Sequence, residues 1–221
     1  MPTVLSTKKL SPAQRNLLLN SGISFVDYNA IKIENIDFNW QYDPSKKYIF
    51  TSQNAVASFL KKFSKKKEFD FSAFCVGEKT ASRLKSSGIA IDETTANAAE
   101  LGKIITEKYP EQEFVFFCGN KRREELISML RADNIQLEEI EVYKTQLNEK
   151  TFQQEFEGVL FFSPSGVQSF TSKNNLSKSI AFCIGNTTAS EAKKHTEKIK
   201  IATKPSVENV IVQVVKTLKN D

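Results

Sequence analysis

Histidine is nearly absent from this chain of 221 residues: His195 is the only one, and it stands in a lysine-rich stretch that reads as surface. A Ser-His-Asp triad or a histidine-ligated metal therefore has little material to work with. Cysteine is scarce too. Cys75, Cys118 and Cys183 make an odd number without a CxxC spacing, each set in an apolar run just before a glycine. Neither a disulfide framework nor a zinc site is suggested, and the expected role is that of buried core thiols in a reducing compartment. No apolar run approaches the roughly 20 residues of a membrane span, and Met1 opens no basic-then-apolar leader. A cytosolic protein without a membrane partner is expected. The formal charge is only +5, from 31 Lys+Arg against 26 Asp+Glu. That excess suits an acidic small molecule, whereas a nucleic-acid binder carries a stronger bias. The densest basic run, KKFSKKKEF (61–69), reads as a solvated helix end and loop.

What is present is a repeat. AFCVGEKTAS (73–82) returns as AFCIGNTTAS (181–190) with seven of ten positions identical, an offset of 108. FTSQNAVASF (50–59) returns as FFSPSGVQSF (161–170) at 111, and TTANAAELGKII (94–105) lies over TKPSVENVIVQV (203–214) at 109. A weaker match at 112 joins STKKLSPAQRNLLLNSGI (6–23) to CGNKRREELISMLRADNI (118–135). Nearly constant offsets indicate two structurally similar halves. Each segment has an apolar run (KYIF, SAFCV, EFVFF, GVLFF or SIAFCI), a turn of Thr, Ser, Gly or Asn, and then a helical pattern. Runs without alternation read as strands buried on both faces, hence α/β lobes with parallel sheets flanked by helices. The first helix is announced by Ser11, Pro12 and Gln14, and the helix over 78–87 should end at Gly88.

The fourth match falls at the N-terminus rather than after residue 214. One lobe is therefore expected to be discontinuous, 1–30 plus 147–221, and the other continuous over 37–140. The crossings at 31–36 and 141–146 alternate and are rich in β-formers, so they are expected to pair as a two-stranded β-ribbon linker. A cleft between the lobes is the expected ligand site. No exposed apolar heptad argues for a dimer, and a monomer is expected.

Six strand-to-helix turns follow: STKK (6–9), TSQN (51–54), GEKT (77–80), GNKR (119–122), SPSG (163–166) and GNTT (185–188). Helix starts present free N–H groups and a positive dipole end, which favour anions. Gly77, Gly119 and Gly185 let the backbone approach a ligand; Ser52, Thr80, Ser163, Ser165, Thr187 and Thr188 add hydroxyls. Each of these hydroxyls can equally be a plain N-cap. GEKT lacks the upstream glycines of a phosphate-binding loop, and no GxGxxG follows any strand. Tyr143, in EVYKT (141–145), is an ionisable group near the expected cleft, able to protonate a departing oxygen when held close. The residues alone leave open a non-catalytic binder of a polyanionic metabolite.

Together FTSQNAV (50–56), VGEKTA (76–81), CGNKRRE (118–124), VYKT (142–145), FFSPSGV (161–167) and IGNTTA (184–189) resemble the uroporphyrinogen-III synthase family, over most of the chain. The resemblance implies a lyase of haem biosynthesis, without cofactor or metal, whose small-molecule substrate is the linear tetrapyrrole hydroxymethylbilane. Loss of the terminal hydroxyl would give an azafulvene cation, attack on ring D a spiro intermediate, and reclosure a macrocycle with that ring inverted. The same resemblance casts Tyr143 as the group assisting hydroxyl departure. Ser52, Thr80, Asn120, Ser163, Ser165, Thr187 and Thr188 would hold carboxylate arms, with backbone contacts from Gly77, Gly119 and Gly185 and charge from Lys121 or Arg122.

Overall fold

The computed structural model describes residues 1–63, 69–122 and 124–219; Lys65, Lys66 and Lys67 of the basic run lie outside the described residues. The chain divides into unit 1, Met1–Lys32 with Gln146–Asp221, and unit 2, Ile33–Thr145. It opens with β1 (Thr3–Ser6), α1 (Pro12–Leu19), β2 (Ser24–Asp27) and β3 (Ile31–Asn35). It continues through β4 (Lys47–Phe50), α2 (Gln53–Lys62), β5 (Ser72–Val76), α3 (Glu78–Lys85), β6 (Ala90–Thr95), α4 (Ala98–Lys108), β7 (Phe114–Gly119), α5 (Glu124–Ala132) and β8 (Leu137–Leu147). Unit 1 is completed by β9 (Gly158–Phe161), α6 (Pro164–Thr171), β10 (Ile180–Cys183), α7 (Asn186–Ala192), β11 (Ile199–Ile201) and α8 (Val207–Lys219).

The sheet of unit 1 has the order β11-β10-β9-β1-β2, and that of unit 2 the order β3-β8-β7-β4-β5-β6. The inner pairings of both are parallel. Apart from β3, the two orders coincide. Strand β9 stands where β4 does, β10 where β5 does, and the opening β1-α1-β2 takes the place held in unit 2 by β7-α5-β8. The repeat is thus a permuted one, as the 112-residue offset implies. Its register is conserved as well: Phe50 lies opposite Cys75, and Phe161 opposite Cys183.

Strands buried on both faces have no polar positions to alternate, yet their side chains still divide with period two. In β7, Val115 and Phe117 join the core beneath α2 and α3, while Phe114, Phe116 and Cys118 join the core beneath α4 and α5. In unit 1, Cys183 packs with α6 and α7, whereas Phe182 packs with α1 and α8. Cys75 and Phe74 divide in the same way in unit 2.

The start of α1 carries the full capping box: Ser11 accepts from the Gln14 backbone, and the Gln14 side chain accepts from Ser11 N. Helix α3 stops at Lys85, two residues short of the sequence expectation. Beyond it, Ser87 N and Gly88 N bond to Leu84 O and Lys85 O, so the last turn tightens to three-residue spacing before Gly88.

All three cysteines are free and buried. Burial pushes the Cys183 thiol up to about 12 and also raises Cys75, against a smaller opposing contribution from the Thr94 hydroxyl. Cys75→Ala and Cys183→Ala should each cost on the order of 1 kcal/mol in a denaturant melt, the scale of one buried methyl-sized atom. Turnover should change little. A large loss of activity in a stable Cys75→Ala protein would contradict a purely core role.

Candidate functional site

Strand β4 is followed by Thr51 and Ser52, where the apolar run gives way to a residue whose side chain can cap a helix. Ser52 has extended backbone, φ −146° and ψ 134°, and its Oγ accepts a hydrogen bond from Asn54 N at 3.1 Å. That starts α2 on the face shared with α3. The neighbouring β7 instead leads into α5, on the opposite face. Helices that leave adjacent parallel strands towards opposite faces open a crevice at the carboxyl ends of those strands. A cavity of about 350 Å³ lies there, with Ser52, Asn97, Gly119, Lys121, Arg122 and Tyr143 in its wall.

Tyr143 reaches this wall from β8. Its strand runs beside β7, with a register shift that places Tyr143 opposite Gly119. The ring lies against the glycine so closely that a Cβ on Gly119 would stand 2.4 Å from Tyr143 Cζ. Asn120 holds the strand at and just beyond the tyrosine: its N–H donates to Tyr143 O at 3.4 Å, and its Oδ1 accepts from Thr145 N at 2.8 Å. Tyr143 is 9% exposed, and its hydroxyl donates to Ser52 Oγ at 3.1 Å.

Of the two charges in the wall, that of Arg122 is neutralised. Arg122 pairs with Glu139 at 2.6 Å and Glu141 at 3.3 Å, both from β8, and Glu139 also holds Arg131 at 2.7 Å. Lys121 is exposed and has no carboxylate partner among the described residues. The site therefore combines hydroxyls, helix-start N–H groups and one unpaired ammonium. Such a set suits carboxylates and developing charge, and it offers no strong base.

The model of the family described as uroporphyrinogen-III synthase HemD matches residues 15–211. The chain belongs to this family. Among curated proteins, a porphyrin biosynthesis protein HemD from Ruminiclostridium josui is 29% identical over 150 residues, covering 62% of this chain. The chain spans only 30% of that relative's length. The crystal structure of uroporphyrinogen-III synthetase from Helicobacter pylori aligns over 99% of this chain and 100% of its own, with TM-score 0.75 and 20% identity. A mutant uroporphyrinogen III synthase from the extremely thermophilic bacterium Thermus thermophilus aligns over 100% of both chains, with TM-score 0.67 and 12% identity. At such identities these two structures show the shared fold.

Of the residues marked in the sequence for this family's chemistry, Ser52, Gly119, Lys121, Arg122 and Tyr143 come together around the one cavity. Asn120 is exposed beside it, with its amide oxygen engaged by the backbone of β8. Gly77 adopts φ +85°, a left-handed conformation open to glycine, and its N–H is taken by Thr95 O at 2.8 Å. Thr80 is buried in the first turn of α3. In unit 1, Ser163 caps α6 by accepting from Gly166 N at 3.1 Å, and Ser165 is half-buried in the first turn. Gly185 is extended, with open space where a Cβ would stand; Thr187 is exposed and Thr188 buried. Asn97 is a polar wall residue that the sequence reading did not mark. Its Oδ1 caps α4 by accepting from Glu100 N at 2.9 Å, and the Asn97-x-x-Glu100 spacing is the signal that could have found it.

Proposed function

We propose that this chain closes hydroxymethylbilane to uroporphyrinogen III, with inversion of ring D and loss of water. The observation that carries the reading is Tyr143, seated on Gly119 and bonded to Ser52 in the wall of the unit 2 cavity. At about 350 Å³ the cavity lies near the small end of ligand pockets, about 300–1,000 Å³, so it takes part of a linear tetrapyrrole rather than the whole.

The chemistry needs little more than this wall provides. The terminal C–O bond breaks as its oxygen gains a proton and leaves as water, and the adjacent pyrrole nitrogen supplies the electrons that form an azafulvene cation. The substituted carbon of ring D attacks that carbon, and the spiro intermediate cleaves to place the cation on the neighbouring ring. Closure through the free carbon of ring D then releases one proton. Hydroxymethylbilane also cyclises unaided to the uninverted isomer, so the protein's main contribution is orientation. Lys121 and the start of α4 are assigned to carboxylate arms, with Thr80, Asn120 and the Gly77 turn beside them. In unit 1 the same role falls to Ser163, Ser165, Gly185, Thr187 and Thr188. Binding energy from these remote groups fixes the reacting end. The Arg122 ion pairs keep that cation in place, as part of the wall rather than as a free anion receptor.

The deciding assay supplies hydroxymethylbilane, oxidises the products and separates the isomers. Isomer III in excess of a protein-free control is expected. Isomer I alone, matching the control, would overturn the proposal.

A further inference from the structure

We propose that the proton reaching the leaving hydroxyl is delivered by Ser52 and resupplied to it by Tyr143, so that the acid at this site is a tyrosine–serine pair. The inference rests on the function proposed above and assigns Ser52 a direct part in it. The reason lies in the hydrogen bonds around one oxygen. Ser52 Oγ accepts from Asn54 N at 3.1 Å and from the Tyr143 hydroxyl at 3.1 Å. A phenol is more acidic than an aliphatic alcohol, so the bridging proton belongs to the tyrosine. A hydroxyl has two acceptor positions and one hydrogen. Both acceptor positions of Ser52 are taken, and its own hydrogen has no acceptor among the described residues. Ser52 lines the cavity, and the remaining direction about its oxygen is the one that serves a ligand there.

Tyr143 is placed differently. Its single hydroxyl hydrogen is engaged by Ser52, its ring is packed against Gly119, and it is 9% exposed. It can acidify Ser52 while its own hydrogen is engaged there rather than offered to the substrate. The start of α2 assists, because the Asn54 N–H and the helix dipole stabilise negative charge developing on Ser52 Oγ.

The step balances without any co-reactant. As the substrate C–O bond breaks, the Ser52 hydrogen passes to the departing oxygen and completes water. The Tyr143 hydrogen moves to Ser52 Oγ, leaving a tyrosinate that offsets the azafulvene cation. When the macrocycle closes, the proton released from the last ring carbon returns through Ser52 to Tyr143.

The test compares the full-length protein with Ser52→Thr, Ser52→Ala, Ser52→Asn and Tyr143→Phe. It measures kcat and KM for isomer III, and a single-turnover proton inventory in H2O/D2O mixtures. Ser52→Thr, which keeps a hydroxyl, should hold kcat within about threefold. Ser52→Asn can still cap α2 and accept the phenol's hydrogen bond, but it cannot pass a proton. It and Ser52→Ala should lose about as much kcat as Tyr143→Phe, roughly 100-fold or more, on the scale of general acid catalysis. KM should stay within about threefold. The wild-type inventory should be curved, as two protons in motion require.

Near-normal kcat in Ser52→Asn would reduce Ser52 to a positioning residue and overturn the relay, as would a linear inventory. Should Ser52→Asn fail to fold, the wild-type inventory decides. A wild-type protein that makes isomer III but gives either of those results loses only the relay. One that makes isomer I alone loses the proposed function and the relay with it.

Discussion

Replacing Tyr143 by phenylalanine is expected to lower kcat for isomer III by about 10²–10⁴-fold, the usual range for removing a positioned acid. Stability should fall by only about 1 kcal/mol. The ring would keep its place against Gly119, and the interaction removed is one hydrogen bond to Ser52 Oγ. KM should move little, since the carboxylate arms are assigned to other groups. Steady-state kinetics with isomer analysis, paired with a denaturant melt, separates the two effects. Unchanged turnover in a folded Tyr143→Phe protein would remove Tyr143 from the chemistry. A large destabilisation would show that its hydroxyl serves the fold first.

Much of the fold could be read from the chain because its physical causes are local. Apolar runs without alternation mark strands covered on both faces, and β7, FVFFCG, is buried at every position. The echoed phrases around Cys75 and Cys183 proved to be equivalent strands, helix starts and core positions, down to their pairing with Phe50 and Phe161. The early position of STKKLSPAQ also carried the permutation, since β1-α1-β2 closes the sheet of unit 1 as β7-α5-β8 does in unit 2.

The candidate site was legible only by residue type. That Ser52, Gly119 and Tyr143 share one cavity depends on β4 and β7 being neighbours, which no local pattern states. Their meeting depends also on a shift in the β7–β8 register between Cys118 and Gly119. For the same reason Gly119 was read as a close approach to ligand, while the structure fills that space with the ring of Tyr143. Asn120 was read as holding a carboxylate arm, while in the structure its amide oxygen accepts from Thr145 N in the neighbouring strand. Asn97 was not marked, because its place in the cavity wall depends on how the sheet of unit 2 sets β6 and α4 relative to β4 and β7, although its role as the cap of α4 is local.

Gly119→Ala should be the most damaging single methyl that can be added to this site. A Cβ there would stand 2.4, 2.6 and 2.8 Å from three ring carbons of Tyr143, well inside contact distance. The glycine backbone cannot readily yield, because it belongs to a central strand paired with β8 on one side and β4 on the other. The ring must therefore move, and with it the hydroxyl that meets Ser52. Overpacking of this kind costs about 1–3 kcal/mol. Turnover should fall at least as far as in Tyr143→Phe, because the phenol is displaced and the cavity reshaped. A double-mutant cycle separates these causes. If the clash is with the ring, Gly119→Ala should destabilise the native protein but be nearly neutral for stability in a Tyr143→Ala background, where the ring is gone. Equal destabilisation in both backgrounds would place the fault in the β7 backbone instead. A Gly119→Ala protein with full activity would mean that the ring does not occupy this position during turnover, and the assignment of Tyr143 as the acid would fall with it.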